Sequence, residues 1–147
     1  MGAYQVVVVG TDGSDSSMRA VDRAAQLAGA DATLIIASAY LPQPEDARAA
    51  DALGAESYKV SGTAPIYAIL RDAKERAHTA GAKNVDERAI VGAPVDALVH
   101  LAEEEKADLL VVGNVGLSTI AGRLLGSVPA NVSRRANVDV LIVHTTA

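Results

Sequence analysis

The chain has 147 residues, half of them hydrophobic, yet it contains no Phe or Trp and four Tyr, so Val, Leu, Ile and Ala must fill its interior. That length suits one domain over residues 1–147 with one core. A formal net charge of -5 without any concentration of Lys or Arg excludes the usual footprint of a protein that grips nucleic-acid phosphates. No apolar run is long enough to span a bilayer, and no basic segment precedes one near the N-terminus, so neither membrane insertion nor secretion is expected. The absence of cysteine removes disulfides, thiol nucleophiles and thiolate metal sites and suits a cytoplasmic location.

Val6-Val7-Val8-Val9 is apolar on both faces, as a central parallel strand covered by helices should be, and is predicted as β1. Gly10-Thr11-Asp12-Gly13-Ser14 interrupts it, and Met18, Val21, Ala25 and Ala28 then recur at helical spacing up to Gly29. This is α1, capped by Ser14 or Ser16. Leu34 to Ala37 supplies β2, which ends near Ala39. From Tyr40 to Ser61 no periodicity is sustained, and a flap is expected with a short helix around Asp46 to Leu53. Thr63 is the expected cap of α2, whose stripe runs Ile66, Leu70, Ala73, Ala77, Ala80 until Gly81.

Val85 to Val91 is predicted as β3 and assigned to a sheet edge, because Asp86, Glu87 and Arg88 interrupt it. Gly92-Ala93-Pro94 turns into α3, with Val95, Leu98, Val99 and Ala102 inward and Glu103 to Glu105 toward water. Leu109 to Val112 is β4. After the loop from Gly113 to Gly126, α4 carries Val128, Val132 and Ala136, with Arg134 and Arg135 where the helix dipole favours cations. Val138 to Val143 closes the chain as β5. The alternation predicts an α/β fold, a doubly wound five-stranded parallel sheet with helices on both faces.

Ligands of such sheets bind beyond the carboxyl ends of the strands, where the strand order reverses. Two glycine-bearing loops lie at such ends: Gly10-Thr11-Asp12-Gly13-Ser14 after β1, and Gly113-Asn114-Val115-Gly116 after β4, which leads to Gly126-Ser127 at the start of α4. Order 3-2-1-4-5 makes these loops neighbours, whereas 2-1-3-4-5 would put β3 between them. Glycine lets backbone amides approach an anion without a Cβ in the way, and the amides opening α4 are unpaired donors at the positive end of a dipole, suited to phosphate. Taken singly, each glycine serves a turn as readily as a ligand. Likewise Asp12 suits an Asx turn and Ser14, Ser16 and Ser17 suit helix caps.

The joint spacing Gly113-x2-Gly116-x9-Gly126-Ser127 between β4 and β5 resembles the nucleotide-binding signature of the universal stress protein family. The resemblance extends over essentially the whole chain. It implies an adenine nucleotide as ligand, homodimers joined through the last strand (residues 138–144), and a stress-linked regulatory role. It assigns Asp12, with Gly10 and Thr11 around it, to ribose or adenine, and the backbone of Ala39 to the adenine edge. Gly113, Asn114, Gly116, Gly126, Ser127 and Val128 fall to phosphate and ribose.

Many triphosphate-binding members carry a basic residue where Val115 stands, and Arg123 is the only cation of this loop. A helix end and one Arg offset a single phosphate charge more readily than those of ATP, since a charge at a helix N-terminus gains about 0.3–2 kcal/mol. Cyclic AMP is therefore the expected ligand, with ATP, aided by Mg2+, the weaker alternative and no obligatory cofactor. No Gly-x4-Gly-Lys-Ser/Thr loop or dinucleotide fingerprint is present, and His78, His100 and His144 have no metal-ligand spacing, so a binding protein rather than an enzyme is expected. A slow ATPase switch and a nucleotide-independent interaction module are the alternatives. A response-regulator domain is excluded because Gly92-Ala93 stands where its phosphoacceptor would be.

Overall fold

The computed structural model describes residues 4–40, 63–114 and 127–145, without the side chains of 63–64 and 127–130. Five strands, β1 (Val6–Gly10), β2 (Thr33–Tyr40), β3 (Asn84–Val91), β4 (Leu109–Gly113) and β5 (Asp139–Val143), form one sheet. All neighbours pair in parallel, in the order β3-β2-β1-β4-β5. Four described helices connect them: α1 (Asp15–Ala28), α2 (Thr63–Ala80), α3 (Pro94–Glu104) and α4 (Ser127–Arg135). The expected flap lies almost wholly outside the described residues, as does its short helix.

Alternation along the two central strands sends side chains into two cores, one per face. Val7 and Val9 of β1 and Leu109 and Val111 of β4 meet Ala20, Val21, Ala24 and Ala25 of α1 and Leu70, Ala73 and Ala77 of α2. Val8, Leu110 and Val112 meet Leu98, Leu101 and Ala102 of α3 and Val132 of α4 on the other face. Alanine at the helix faces lets α1 and α2 lie close to a valine surface, which is how a core without Phe or Trp closes. Each fully buried Val or Leu contributes about 1.5–3 kcal/mol. The exposed Arg76–Asp22 pair between α2 and α1, at 2.7 Å, belongs to a class worth about 0–1 kcal/mol. Apolar burial, not this ion pair, therefore holds the helices to each other.

The elements differ from expectation mainly at their ends. β1 continues to Gly10, which pairs with Ala37, and β2 runs to Tyr40 because β3 accompanies it to Val91. β3 begins at Asn84 and is an edge strand. Its charged residues are partnered there: Glu87 with Lys74 at 3.8 Å, Arg88 with Glu105 at 3.1 Å. The Arg88 pair turns Glu105 back to the sheet edge rather than out to water. Thr63 is the first residue of α2, not the residue before it, and β5 starts at Asp139, opposite Leu109. Ser14 caps α1, accepting from Ser17 N at 3.2 Å, and the helix stops where Gly29 takes φ 58.

Two further ties fix the lower ends of the central strands. The Asp108 carboxylate accepts from Gln5 N at 2.9 Å and Val6 N at 3.0 Å, covering amides that precede the β1–β4 ladder. Tyr4 donates its hydroxyl to Asp139 at 3.0 Å, and this bond to a carboxylate holds the phenol above its ordinary pKa.

Candidate functional site

β1 and β4 lie side by side in the sheet, with Val9 opposite Val111, so the loops that follow them leave from adjacent positions. β1 turns away first. β2 extends past it by three residues, since the last β1–β2 pair is Gly10 with Ala37 and β2 ends at Tyr40. Thr11 N donates to Ala37 O at 2.9 Å, which points Ala37 toward β1. Tyr40 O accepts from Gly92 N at 2.8 Å, which points Tyr40 toward β3. In a parallel strand the N–H and C=O of one residue point to the same side and those of the next residue to the other. Ala39 therefore presents its backbone N–H and C=O toward the side that β1 has vacated. That is a main-chain edge with one donor and one acceptor, the complement of a purine edge.

The first loop is prefolded by its own side chains. Gly13 N donates to Thr11 Oγ1 at 3.1 Å, Ser14 N to Asp12 Oδ1 at 2.9 Å, and Asp12 N to Ser17 Oγ at 3.3 Å. Ser17 donates its hydroxyl to the Ser14 carbonyl at 3.0 Å, so the 2.7 Å contact between Thr11 and Ser17 carries the Thr11 proton. Thr11, at 2% exposure, is thus part of the loop's interior. Asp12 is half-buried and forms an Asx turn. The amides of residues 11 to 14 are all committed within the protein.

The start of α4 differs. Connecting β4 to the parallel β5, α4 runs back against the strand direction, so its N-terminus lies at the end of the sheet where the loops lie. Its first turn carries no acid, while α1 has Asp15 in its own and a Ser14 cap. Helix-end amides and dipole favour an anion at both, but at α1 that demand is already met by the chain itself. Arg134 and Arg135 stand at the C-terminal end of α4.

The root of the second loop is joined to the start of α1 through Thr145, a residue absent from the sequence-based site. Asn114 N donates to Val143 O at 2.8 Å, and Asn114 Oδ1 accepts from both the amide and the hydroxyl of Thr145, each at 2.8 Å. Thr145, 4% exposed, also contacts the Ser16 hydroxyl and accepts from Arg19 Nη1 through its carbonyl. The segment leaving β5 thus links the tip of β4 to the first turns of α1. Nothing in the spacing of Thr145 signals this, because the contact exists only once β5 is placed beside β4. Gly113 is buried at the end of β4. Gly116 and Gly126 lie outside the described residues, as do Val115 and Arg123, while Ser127 and Val128 open α4 as backbone.

The histidines are dispersed: His78 Nδ1 lies 2.9 Å from Ala82 O, His100 pairs with Glu104 at 3.2 Å, and His144 Nδ1 is 3.4 Å from Asn114 Nδ2. Among the described residues no cluster of His, Asp and Glu has the makings of a metal site, and no described helix is long and apolar enough to cross a membrane. An open cleft of about 520 Å³ lies elsewhere, lined by Val91, Asp96, His100, Glu103 and Arg135. Its acids and its Arg135–Asp96 pair make it a poor phosphate site.

The model of the universal stress protein family matches residues 3–144. The chain belongs to that family. It is 88% identical over 146 residues to the universal stress protein Rv1636 of Mycobacterium tuberculosis, covering 99% of this chain and 100% of that one. A universal stress protein of Methanocaldococcus jannaschii, MJ0531, is 32% identical over 95% of this chain and 82% of its own. Among solved structures, a universal stress protein in complex with cAMP superposes with a TM-score of 0.78 at 73% identity, covering 99% of this chain and 100% of that one. As a universal stress protein, the chain has the five-stranded order 3-2-1-4-5 that the loops require.

Proposed function

We propose that this universal stress protein binds cyclic AMP in the crevice between the tips of β1 and β4, and that its function is to sense or sequester the nucleotide. The observation that carries the reading is the departure of the two loops from adjacent strand ends, with the Ala39 backbone on one side and the acid-free first turn of α4 on the other. In this reading Ala39 reads the adenine edge and Asp12, beside Gly10, meets the ribose. The amides of Ser127 and Val128, with the glycines at 113, 116 and 126, receive the phosphate. Thr11 and Asn114, whose side chains are engaged within the protein, shape the site rather than reach into it. The cAMP complex of a relative at 73% identity supports the ligand.

Charge favours a cyclic monophosphate over ATP. Among the described residues of the two loops and the first turns of α1 and α4, Arg19 is the cation, and its guanidinium is bonded to the Thr145 carbonyl. One helix end matches one negative charge and leaves a triphosphate dependent on Mg2+. Titration calorimetry with cyclic AMP, AMP and ATP, each with and without Mg2+, is expected to show metal-free binding strongest for cyclic AMP. Mg2+-dependent ATP turnover would replace the reading with an ATPase switch, and absence of heat from every ligand would leave an interaction module.

The outer edge of β5 supports a homodimer. Its backbone groups on the side away from β4 border no described strand, and Ile142 is 42% exposed beside it. Sedimentation at dimer mass is expected, and a monomer at micromolar concentration would remove this part of the proposal.

A further inference from the structure

The described ladder does not hold the crevice together at its open end. β1 pairs with β4 only as far as Val9 with Val111, and Gly113 is paired on the β5 side, with Val143. Past Val111 no ladder bond joins β4 to β1. What spans the gap is a chain of side-chain bonds whose proton directions follow from the chemistry of the groups. Thr145 N–H can only donate, so the Asn114 atom 2.8 Å from it is the amide oxygen. That oxygen can only accept, so the Thr145 hydroxyl, also at 2.8 Å, spends its proton there. The Thr145 oxygen is then an acceptor toward its other partner, and Ser16 must donate to it. Arg19 adds a charged donor to the Thr145 carbonyl.

We propose that Thr145 is a positioning residue of the nucleotide site. By donating twice to Asn114 and accepting from Ser16 and Arg19, it clasps the root of the β4 loop to the start of α1 and sets the width of the crevice before ligand arrives. The inference rests on the reading that the crevice takes cyclic AMP. Thr145 does not itself touch the nucleotide. Its effect comes from pre-organisation: a loop root such as Asn114, already held in place, loses less freedom on binding than one that must be ordered by the ligand. The hydroxyl is the working group, because the amide and carbonyl bonds belong to the main chain and survive replacement by Val or Ser.

Thr145→Val keeps shape and burial and removes the hydroxyl, leaving Ser16 and Asn114 each short of one bond. Thr145→Ser restores the hydroxyl. Calorimetry with cyclic AMP is expected to show the valine variant about tenfold weaker, the size of effect that one or two hydrogen bonds carry. The serine variant should return to within about twofold of the parent, again a difference smaller than one hydrogen bond carries. In ligand-free protein, amide exchange at Asn114 should quicken in the valine variant and recover in the serine variant. Equal affinity of valine and parent proteins overturns the clasp and leaves the function standing. Weakened binding that serine does not restore, or a loss of affinity matched by a collapse of the whole fold with uniform exchange, also overturns it as a local device. A parent protein that takes up no cyclic AMP overturns the functional reading and with it the positioning role, whatever the exchange data show.

Discussion

Gly10→Val is expected to weaken cyclic AMP binding by about a hundredfold, roughly 3 kcal/mol. Gly10 is the buried last residue of β1 and pairs with Ala37. Strand alternation places its missing side chain on the face of Val8, the face that carries α3 and α4. The first turn of α4 stands over the strand ends on that side, so a valine there occupies the approach that a phosphate needs to reach the amides of Ser127 and Val128. Overpacking costs about 1–3 kcal/mol of stability, less than enough to unfold a typical domain. The measurement is calorimetry alongside thermal unfolding. A folded variant with parental affinity would remove Gly10 from the site.

Gly13→Val is expected to act on the fold more than on the ligand. Gly13 has φ +86, in the left-handed region, and a Cβ added there would lie 2.9 Å from Ile69 Cγ1 and 3.0 Å from its Cδ1. The backbone penalty is about 1–2 kcal/mol and the crowding of Ile69 adds about 1–3 kcal/mol. The sum, about 2–5 kcal/mol, is large against ordinary domain stability. Ile69 belongs to α2, so the strain would be shared between the first loop and the packing of α2 against the core. Urea unfolding should show a lower midpoint with an unchanged slope, since the mutation alters neither the size of the core nor the denatured chain's extent. An unfolding free energy within about 0.5 kcal/mol of the parent, the range of an ordinary surface substitution, would contradict the role given to this loop.

The central part of the fold was legible because its residues leave little choice. Val6 to Val9 has no polar face, so the strand must be covered on both sides, and the alternation with helices then dictates a parallel sheet. The order 3-2-1-4-5 followed from requiring two glycine loops to be neighbours, and the pairing of Val9 with Val111 meets that requirement. The α2 stripe from Ile66 to Ala80 placed Leu70, Ala73 and Ala77 in the core. Strand ends were less legible, since they depend on neighbours: Ser38 to Tyr40 are extended because Ala89 to Val91 lie beside them. Glu105 was misjudged for the same reason, as its partner Arg88 comes from an edge strand far away in sequence.

For the candidate site, spacing singles out two loops but not what holds them. Thr11 was grouped with Asp12 by adjacency, yet strand alternation carries its side chain inward to Ser17. Asn114 belongs by spacing to a phosphate motif, while its side-chain oxygen accepts from Thr145. Both are residues whose polar side chains have two uses, and only three-dimensional placement separates holding a loop from holding a ligand. Ser16 and Arg19 gain their roles from the way α1 starts beside the end of β5, which no local pattern encodes.

The most direct test of the site is an amide chemical-shift map of the protein titrated with cyclic AMP. The largest changes are expected at Gly10 to Gly13, Ala39, Gly113, Asn114 and the first turn of α4, with little change along α3. Changes centred instead on the cleft of Val91, Asp96, His100 and Arg135, with the tips of β1 and β4 undisturbed, would contradict it.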